Sequence, residues 1–310
     1  MESADNVLRL LDPRRHMGAY LEQGLRYDGR SLSEARKVHV DEARSSDYSG
    51  NCIGAATVHI QSTSGKGGTS CMCHITLQVG KPSLNSPGEG DVIFDVSLGF
   101  DHEQQQQQLH KRPDDAVDIE TLLYNIFVPG AGVDPLVPLQ QLCLVPGQSA
   151  YRLCVSLVFL SQDGNLQDCA IYAVWHALKR ARLPRPSTAS PDLSAGSSSV
   201  PVLVRSDAGL KLTEELVCST FAIWQAASAE SVLFLSDPTR REESLGDGTV
   251  TVVRSQPYGG AAGGNCMRGL LFNAVGNGGA LRGRTDGPVG LAAQDLQRLL
   301  NGGTAVMQLD

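Results

Sequence analysis

The stretch DGNLQDCAIYAVWHALKRARLP, residues 163–184, decides the fold. Asp163-Gly164 is a turn signal that feeds a helix. Asn165 followed three residues later by Asp168 reads as a capping box, with Asp168 reaching back to free backbone N–H groups. An acid in the first turn and Lys179, Arg180 and Arg182 at the far end suit the helix dipole, and Pro184 stops the helix. Leu166, Ala170, Ala173, Val174, Ala177, Leu178 and Ala181 fall on one face at helical spacing. Most of them are alanine, so the helix is expected to lie very close to a sheet.

The same helix carries Asp168, Cys169 and His176, the raw materials of a nucleophilic or metal site. Asp168 and His176 are two turns apart, about 12 Å along the axis, and share no proton. Cys169 sits beside Asp168 rather than across from His176, with no base aimed at it. Capping and packing account for the segment, which reads as a core helix.

Working outward, AYRLCVSLVFL (150–160) is nearly apolar and reads as a strand buried on both faces. Strands are also expected at 37–44, 52–60 and 71–79. In DVIFDVSL (91–98), Val92, Phe94, Val96 and Leu98 alternate with Asp91, Ile93, Asp95 and Ser97. A helix is expected at 114–127, then further strands near 217–226, 231–236 and 249–254. Gln104–Gln108 reads as a loop, 259–290 as a glycine-rich segment, and GLAAQDLQRLL (290–300) as a last helix. The class is α+β (mixed α/β) in two lobes. The divisions are an N-terminal extension at 1–30, a first lobe at 31–184, a Ser/Pro-rich insertion at 185–201 and a second lobe at 202–310 with a glycine-rich tail.

Composition narrows the function. The 310 residues contain no apolar run long enough to span a membrane, and the charged N-terminus lacks a signal peptide's apolar block, so an intracellular chain is expected. The net charge of −7 argues against a stand-alone nucleic-acid binder, which usually carries a basic excess. The eight cysteines form no CxxC pair and no disulfide frame. In CMCHITLQV (71–79), Cys71 and Cys73 share one strand face while His74 points to the other, so the cysteines read as small buried hydrophobes and not as ligands.

YLEQGLRYDGRSLSEAR (20–36), the run from Leu142 to Pro184 and LFLSDPTRREESL (233–245) resemble successive signatures of the RNase PH family. With GKPSLNSPGEGDVIFDV (80–96) and ETLLYNIF (120–127), they are most similar to the RNase PH-like ring subunits of the exosome, among its ribosomal-RNA-processing members. The resemblance covers about residues 20–255. It implies an RNase PH-like fold of two related βαβ-containing lobes. It also implies a six-membered ring with other RNase PH-like subunits, RNA-binding cap proteins, RNA threading the channel, and no membrane. Residence in nucleus, nucleolus and cytoplasm follows from the same likeness, and so does the absence of a cofactor and of a resident metal.

Active members of the family cleave RNA by phosphorolysis, which needs cations to hold phosphate and a carboxylate to handle a proton. The resemblance places their Arg-(Ser/Thr)-x-Glu-Ile pattern at Val117, Asp118, Ile119, Glu120 and Thr121, so the phosphate-holding arginine is replaced by Val117 beside a repelling Asp118. It places the catalytic carboxylate at Thr249, with Asp247 two residues earlier. No catalytic residue is therefore assigned, and a non-catalytic ring subunit supporting RNA processing and decay is expected. The alternative is an active phosphate-dependent 3′-exoribonuclease using Asp247. Asp237, Glu242 and Glu243 read as solvated charges in a turn. Lys111, Arg112, Arg240 and Arg241 are the candidate RNA contacts, ahead of Lys179, Arg180 and Arg182 at a helix end and Arg282 and Arg284 in a glycine-rich loop.

Overall fold

The computed structural model describes residues 7–43 except 8, 51–99 except 64 and 66, 114–128, 134–186, 203–204, 208–225, 232–257 and 266–274. Helix α1 (Pro13–Leu21) opens with Asp12 accepting from the Arg15 backbone N–H at 3.0 Å and Pro13 in its first turn. Strands β1 (Val38–Ala43), β2 (Cys52–Gln61), β3 (Gly68–Gly80) and β4 (Asp91–Leu98) follow, then α2 (Asp114–Phe127). After a 3-10 turn (Leu139–Leu142) come β5 (Cys143–Val145), β6 (Ser149–Ser161) and α3 (Leu166–Arg180). The short pair β7 (Arg185–Pro186) and β8 (Leu203–Val204) precedes β9 (Glu214–Gln225) and β10 (Val232–Ser236). The order ends with α4 (Arg240–Leu245), β11 (Gly248–Pro257) and β12 (Cys266–Ala274).

The first sheet has six strands in the order β1-β2-β3-β6-β4, with β5 beside β6. Strand β4 runs parallel to β6, and α2 lies in the crossover between them, giving a βαβ unit. The second sheet has the order β10-β9-β11-β12 and is antiparallel throughout. Because β10 and β11 both oppose β9, they run in the same direction, and α4 joins them as a second, split βαβ unit.

Helices α2 and α3 lie between the two sheets. Their apolar residues, including Ile119, Leu123, Ile126, Ile171 and Val174, share one core with Val155 and Phe159 of the first sheet and Cys218 and Val253 of the second. This position explains the alanine content of α3: Ala170, Ala173 and Ala177 are fully buried and let backbones come close. Gly54 of β2 marks the closest approach, since a Cβ there would lie 2.6 Å from the Ala177 carbonyl oxygen and 2.9 Å from the Ala181 Cα.

The structure departs from the sequence reading in three places. Strand β6 is not buried on both faces: Leu153, Val155, Leu157 and Phe159 face the helices, while Cys154, Ser156 and Val158 are half-buried and Leu160 is 54% exposed. The helices cover one face only. Strand β12 falls inside the segment read as merely glycine-rich, because CMRGLLFNA finds a pairing partner along β11. The expected capping box on α3 is half-formed. Asn165 accepts from the Asp168 N–H at 3.4 Å, but the Asp168 carboxylate turns away from the backbone of its own helix towards the second sheet.

The run Gln104–Gln108, most of the Ser/Pro-rich insertion and the helix expected at 290–300 lie outside the described residues. Residues 13–36 are built against the second sheet, with Met17 and Leu21 of α1 packed on Ala222, Trp224 and Leu235, and Tyr27 and Leu32 around them.

Candidate nucleic-acid interface

At the meeting of the two sheets lies a buried network of charged and polar side chains. Asp237 follows β10 with a left-handed φ of 48° and is 1% exposed. Its Oδ2 accepts from Arg36 Nε at 2.7 Å and from Arg30 Nη1 at 3.1 Å, and its Oδ1 from Arg36 Nη2 at 2.8 Å. Arg26 completes the set, donating to Glu242 through Nε at 2.8 Å and to the Ser236 carbonyl at 2.6 Å. Burial works to raise the Asp237 pKa, but hydrogen bonds and charge from Arg36, with Asn165 and Arg30, outweigh it and hold the carboxyl below its ordinary value.

The expectation of solvated charges is therefore corrected for Asp237 and Glu242, while Glu243 is half-buried. Three arginines from residues 26–36 cross to this turn and desolvate it, and a buried carboxylate persists only with such partners. Glu242 also closes a capping box with Thr239 at the start of α4. In the sequence, Arg26, Arg30 and Arg36 stand out only as part of a signature. Their grouping within about ten residues, opposite a lone acidic turn, was the available signal, but pairing across some 200 residues of chain is set by the fold.

Helix α3 enters the same network. Asn165, left-handed with φ 54°, donates through Nδ2 to Asp237 Oδ1 at 2.7 Å and to Asp168 Oδ2 at 3.0 Å. Asp168 Oδ1 accepts from Thr220 Oγ1 at 2.8 Å and its Oδ2 from the Thr220 N–H at 3.0 Å. Burial dominates here and pushes the Asp168 pKa up to about 6, despite those bonds. Cys169 points at the Val58 carbonyl oxygen, 3.7 Å away, and burial pushes its thiol well up. His176 Nδ1 lies 2.7 Å from Glu42 Oε1 on β1. Asp168, Cys169 and His176 thus have three separate sets of partners and make no catalytic unit. Cys71 and Cys73 face the core, with His74 on the other face of β3.

The positions where the resemblance seeks phosphorolytic chemistry are also placed. Val117 is 44% exposed on the first turns of α2, and Asp115 and Asp118 beside it are exposed. Glu120 is half-buried and Thr121 donates to the Val117 carbonyl at 2.9 Å, within the helix. Thr249 is buried on β11 between Ala222 and Asn273. Asp247 is engaged: Arg14 Nη2 donates to its Oδ1 at 2.6 Å and the Gln225 N–H to its Oδ2 at 2.8 Å.

The carboxylate that feels α2 is instead Glu243. It accepts from the Asn165 N–H at 2.7 Å, and its pKa is pushed up to about 7, first by enclosure, with Asp115 and Asp237 adding to the effect against Arg36. Its side chain keeps partial exposure at the surface, so solvent moderates that shift. Around α2's first turns the charges that act on one another are therefore mainly acidic.

Of the candidate RNA contacts, Arg240 is exposed and Arg241 half-buried, both on α4. Arg241 Cζ sits 4.9 Å from the Tyr27 ring centroid. Lys179 and Arg180 end α3, where Arg180 is drawn to Glu42. Lys111, Arg112, Arg282 and Arg284 lie outside the described residues.

Comparison with known proteins agrees with this arrangement. Residues 44–184 match the model for the 3′ exoribonuclease family, domain 1 (RNase PH). The chain is 27% identical over 234 residues to the exosome complex component rrp45 of Schizosaccharomyces pombe, covering 75% of this chain and 71% of that protein. It is 25% identical over 248 residues to rrp43 of the same organism, covering 80% and 82%. Among solved structures, an archaeal exosome core superposes with a TM-score of 0.63 at 19% identity, covering 98% of this chain and 95% of that one. An Archaeoglobus fulgidus exosome with RNA bound to the active site gives a TM-score of 0.63 at 19% identity, covering 95% and 93%. The two named relatives are different subunits at nearly equal identity, so the likeness points to a subunit class and not to one subunit. Residues 44–184 thus carry the RNase PH domain match, and the chain as a whole is similar in sequence and fold to core subunits of the exosome.

Proposed function

We propose that this chain is a non-catalytic structural subunit of an exosome core ring, supporting 3′-to-5′ RNA processing and decay, including rRNA maturation. The observation that carries the reading is the first part of α2, where exposed Val117 occupies the place of a phosphate-holding arginine and the exposed Asp118 lies beside it. Without a charge-assisted hydrogen bond of about 1.5–3 kcal/mol, anion binding weakens at least tenfold, and the neighbouring acids repel phosphate further. Asp247 does not restore the chemistry, since Arg14 and the Gln225 backbone already hold both its oxygens.

Its partners are other RNase PH-like subunits in a six-membered ring, RNA-binding cap proteins, and RNA passing through the channel. The net charge of −7 favours contact with RNA inside an assembly rather than by the lone chain. We place the protein in the nucleus and nucleolus and also in the cytoplasm, with lobes at 31–184 and 202–310. The test is RNA decay by the isolated, folded chain with and without inorganic phosphate. No release of nucleoside diphosphates is expected, and phosphate-dependent release from the 3′ end would overturn the non-catalytic reading.

A further inference from the structure

The surface where α1 meets α4 combines cations with aromatic rings. Two guanidinium groups approach the Tyr27 ring, with Arg241 Cζ 4.9 Å and Arg9 Cζ 5.9 Å from its centroid. Tyr20 stands edge-on to Tyr27 with centroids 5.3 Å apart, and His16 lies 5.2 Å from Tyr20. Arg15 and Arg240, next in sequence to His16 and Arg241, are exposed, as is Arg9.

The acids that would neutralise such a patch are committed elsewhere. Glu242 is bound by Arg26 and Asp247 by Arg14, while Asp12, which caps α1, leaves a single negative charge beside Arg15. Among the described residues, no carboxylate forms an ion pair with Arg9, Arg15 or Arg240. A chain of net charge −7 therefore carries a locally positive face with ring edges and guanidinium planes interleaved.

We infer that this α1–α4 face, through Arg9, Arg15, Arg240, Arg241, Tyr20 and Tyr27, binds single-stranded RNA. Arginines neutralise the backbone phosphates, while half-buried tyrosines and guanidinium planes offer stacking surfaces to unpaired bases. A duplex hides its base faces and an acidic peptide has none, so either would use the cations and leave the rings idle. The inference rests on the ring-subunit reading only for the choice of RNA as the polyanion.

The test is binding of a fluorescent oligouridylate to the full-length chain, read by anisotropy between about 50 and 200 mM salt. Replacing Arg9→Gln, Arg15→Gln and Arg240→Gln together is expected to weaken binding roughly tenfold and to flatten the salt slope by about 2, at about 0.7 for each phosphate no longer neutralised. Tyr20→Leu is expected to weaken binding with the salt slope unchanged. If the triple variant melts early, Arg240→Gln alone serves, with a slope change of about 0.7. Absence of binding by the wild type, equal binding by the variants, or equally tight competition by polyglutamate overturns the inference. Recovery of ring partners separates this outcome from the ring-subunit reading: weakened RNA binding by the triple variant with intact assembly supports the patch, whereas RNA binding by the wild type, lost in the triple variant, with no ring partners recovered by either sinks only the ring.

Discussion

Asn165 and Asp237, the two non-glycine residues with left-handed backbone among those described, are joined side chain to side chain by a 2.7 Å hydrogen bond. Each sits at a turn that leaves a sheet for a helix, one before α3 and one before α4. Gly164 supports the same junction from the backbone: at φ 78°, a Cβ there would lie 2.4 Å from the Arg240 nitrogen and 2.5 Å from the Pro238 oxygen. The join between the two sheets is thus a pair of left-handed turns locked together and enclosed by Arg30 and Arg36.

Removing the acid from this join should be severe. Asp237→Ala leaves Arg36 and Arg30 buried without their anion, and a loss of about 3–5 kcal/mol is expected from denaturant unfolding. Because the Asp237 pKa is held below its ordinary 3.8, its contribution is present above that value and is lost as pH falls through the folded pKa. An Asp237→Asn variant should therefore show a weaker fall in stability towards acid than the wild type. An identical acid profile would refute the assignment.

Asn165 carries a backbone demand as well as two hydrogen bonds. Both Asn165→Gly and Asn165→Ala remove the bonds, but only alanine resists the left-handed conformation. Alanine should be the more destabilising by about 1 kcal/mol in paired melts. Equal destabilisation would mean that φ at this position relaxes.

Much of the fold was legible because its signals are local. The alternation in 91–98, the helix at 114–127 and the alanine face of α3 each depend on residues within a few turns of one another. Strand β12 was hidden because glycines surround CMRGLLFNA, and only its partner β11 reveals it. The site was less legible. The Arg26, Arg30 and Arg36 side chains look like ordinary surface charges until residues 26–36 are laid against a turn near 237. Asp168 likewise reads as a cap from its neighbours, whereas its partner Thr220 comes from another sheet.

Glu243 offers a pH test with a defined sign. Its pKa is pushed from 4.5 up to about 7, so its folded state favours the protonated form. That stabilisation is complete below about 4.5 and is lost as pH rises through about 7. Glu243→Gln keeps an acceptor for the Asn165 N–H and removes the charge facing Asp115 and Asp237. The variant should hold its melting temperature better than the wild type between about pH 5 and about pH 8, the range that brackets the shifted pKa; parallel curves would contradict this.

Gly54 tests the closeness of α3 to the first sheet. Gly54→Ala drives a methyl group into the Ala177 carbonyl and Ala181, and backbone there has little freedom to move. A loss of about 1–3 kcal/mol is expected from chemical denaturation. A neutral effect would show that α3 shifts away from β2 without penalty.

Membership of a ring built from RNase PH-like subunits is open to direct test. The most direct measurement is native mass spectrometry of complexes recovered with the tagged, full-length chain. One copy of this chain together with several distinct RNase PH-like partners is expected. Recovery of the chain alone, or of a ring made only of its own copies, would contradict it.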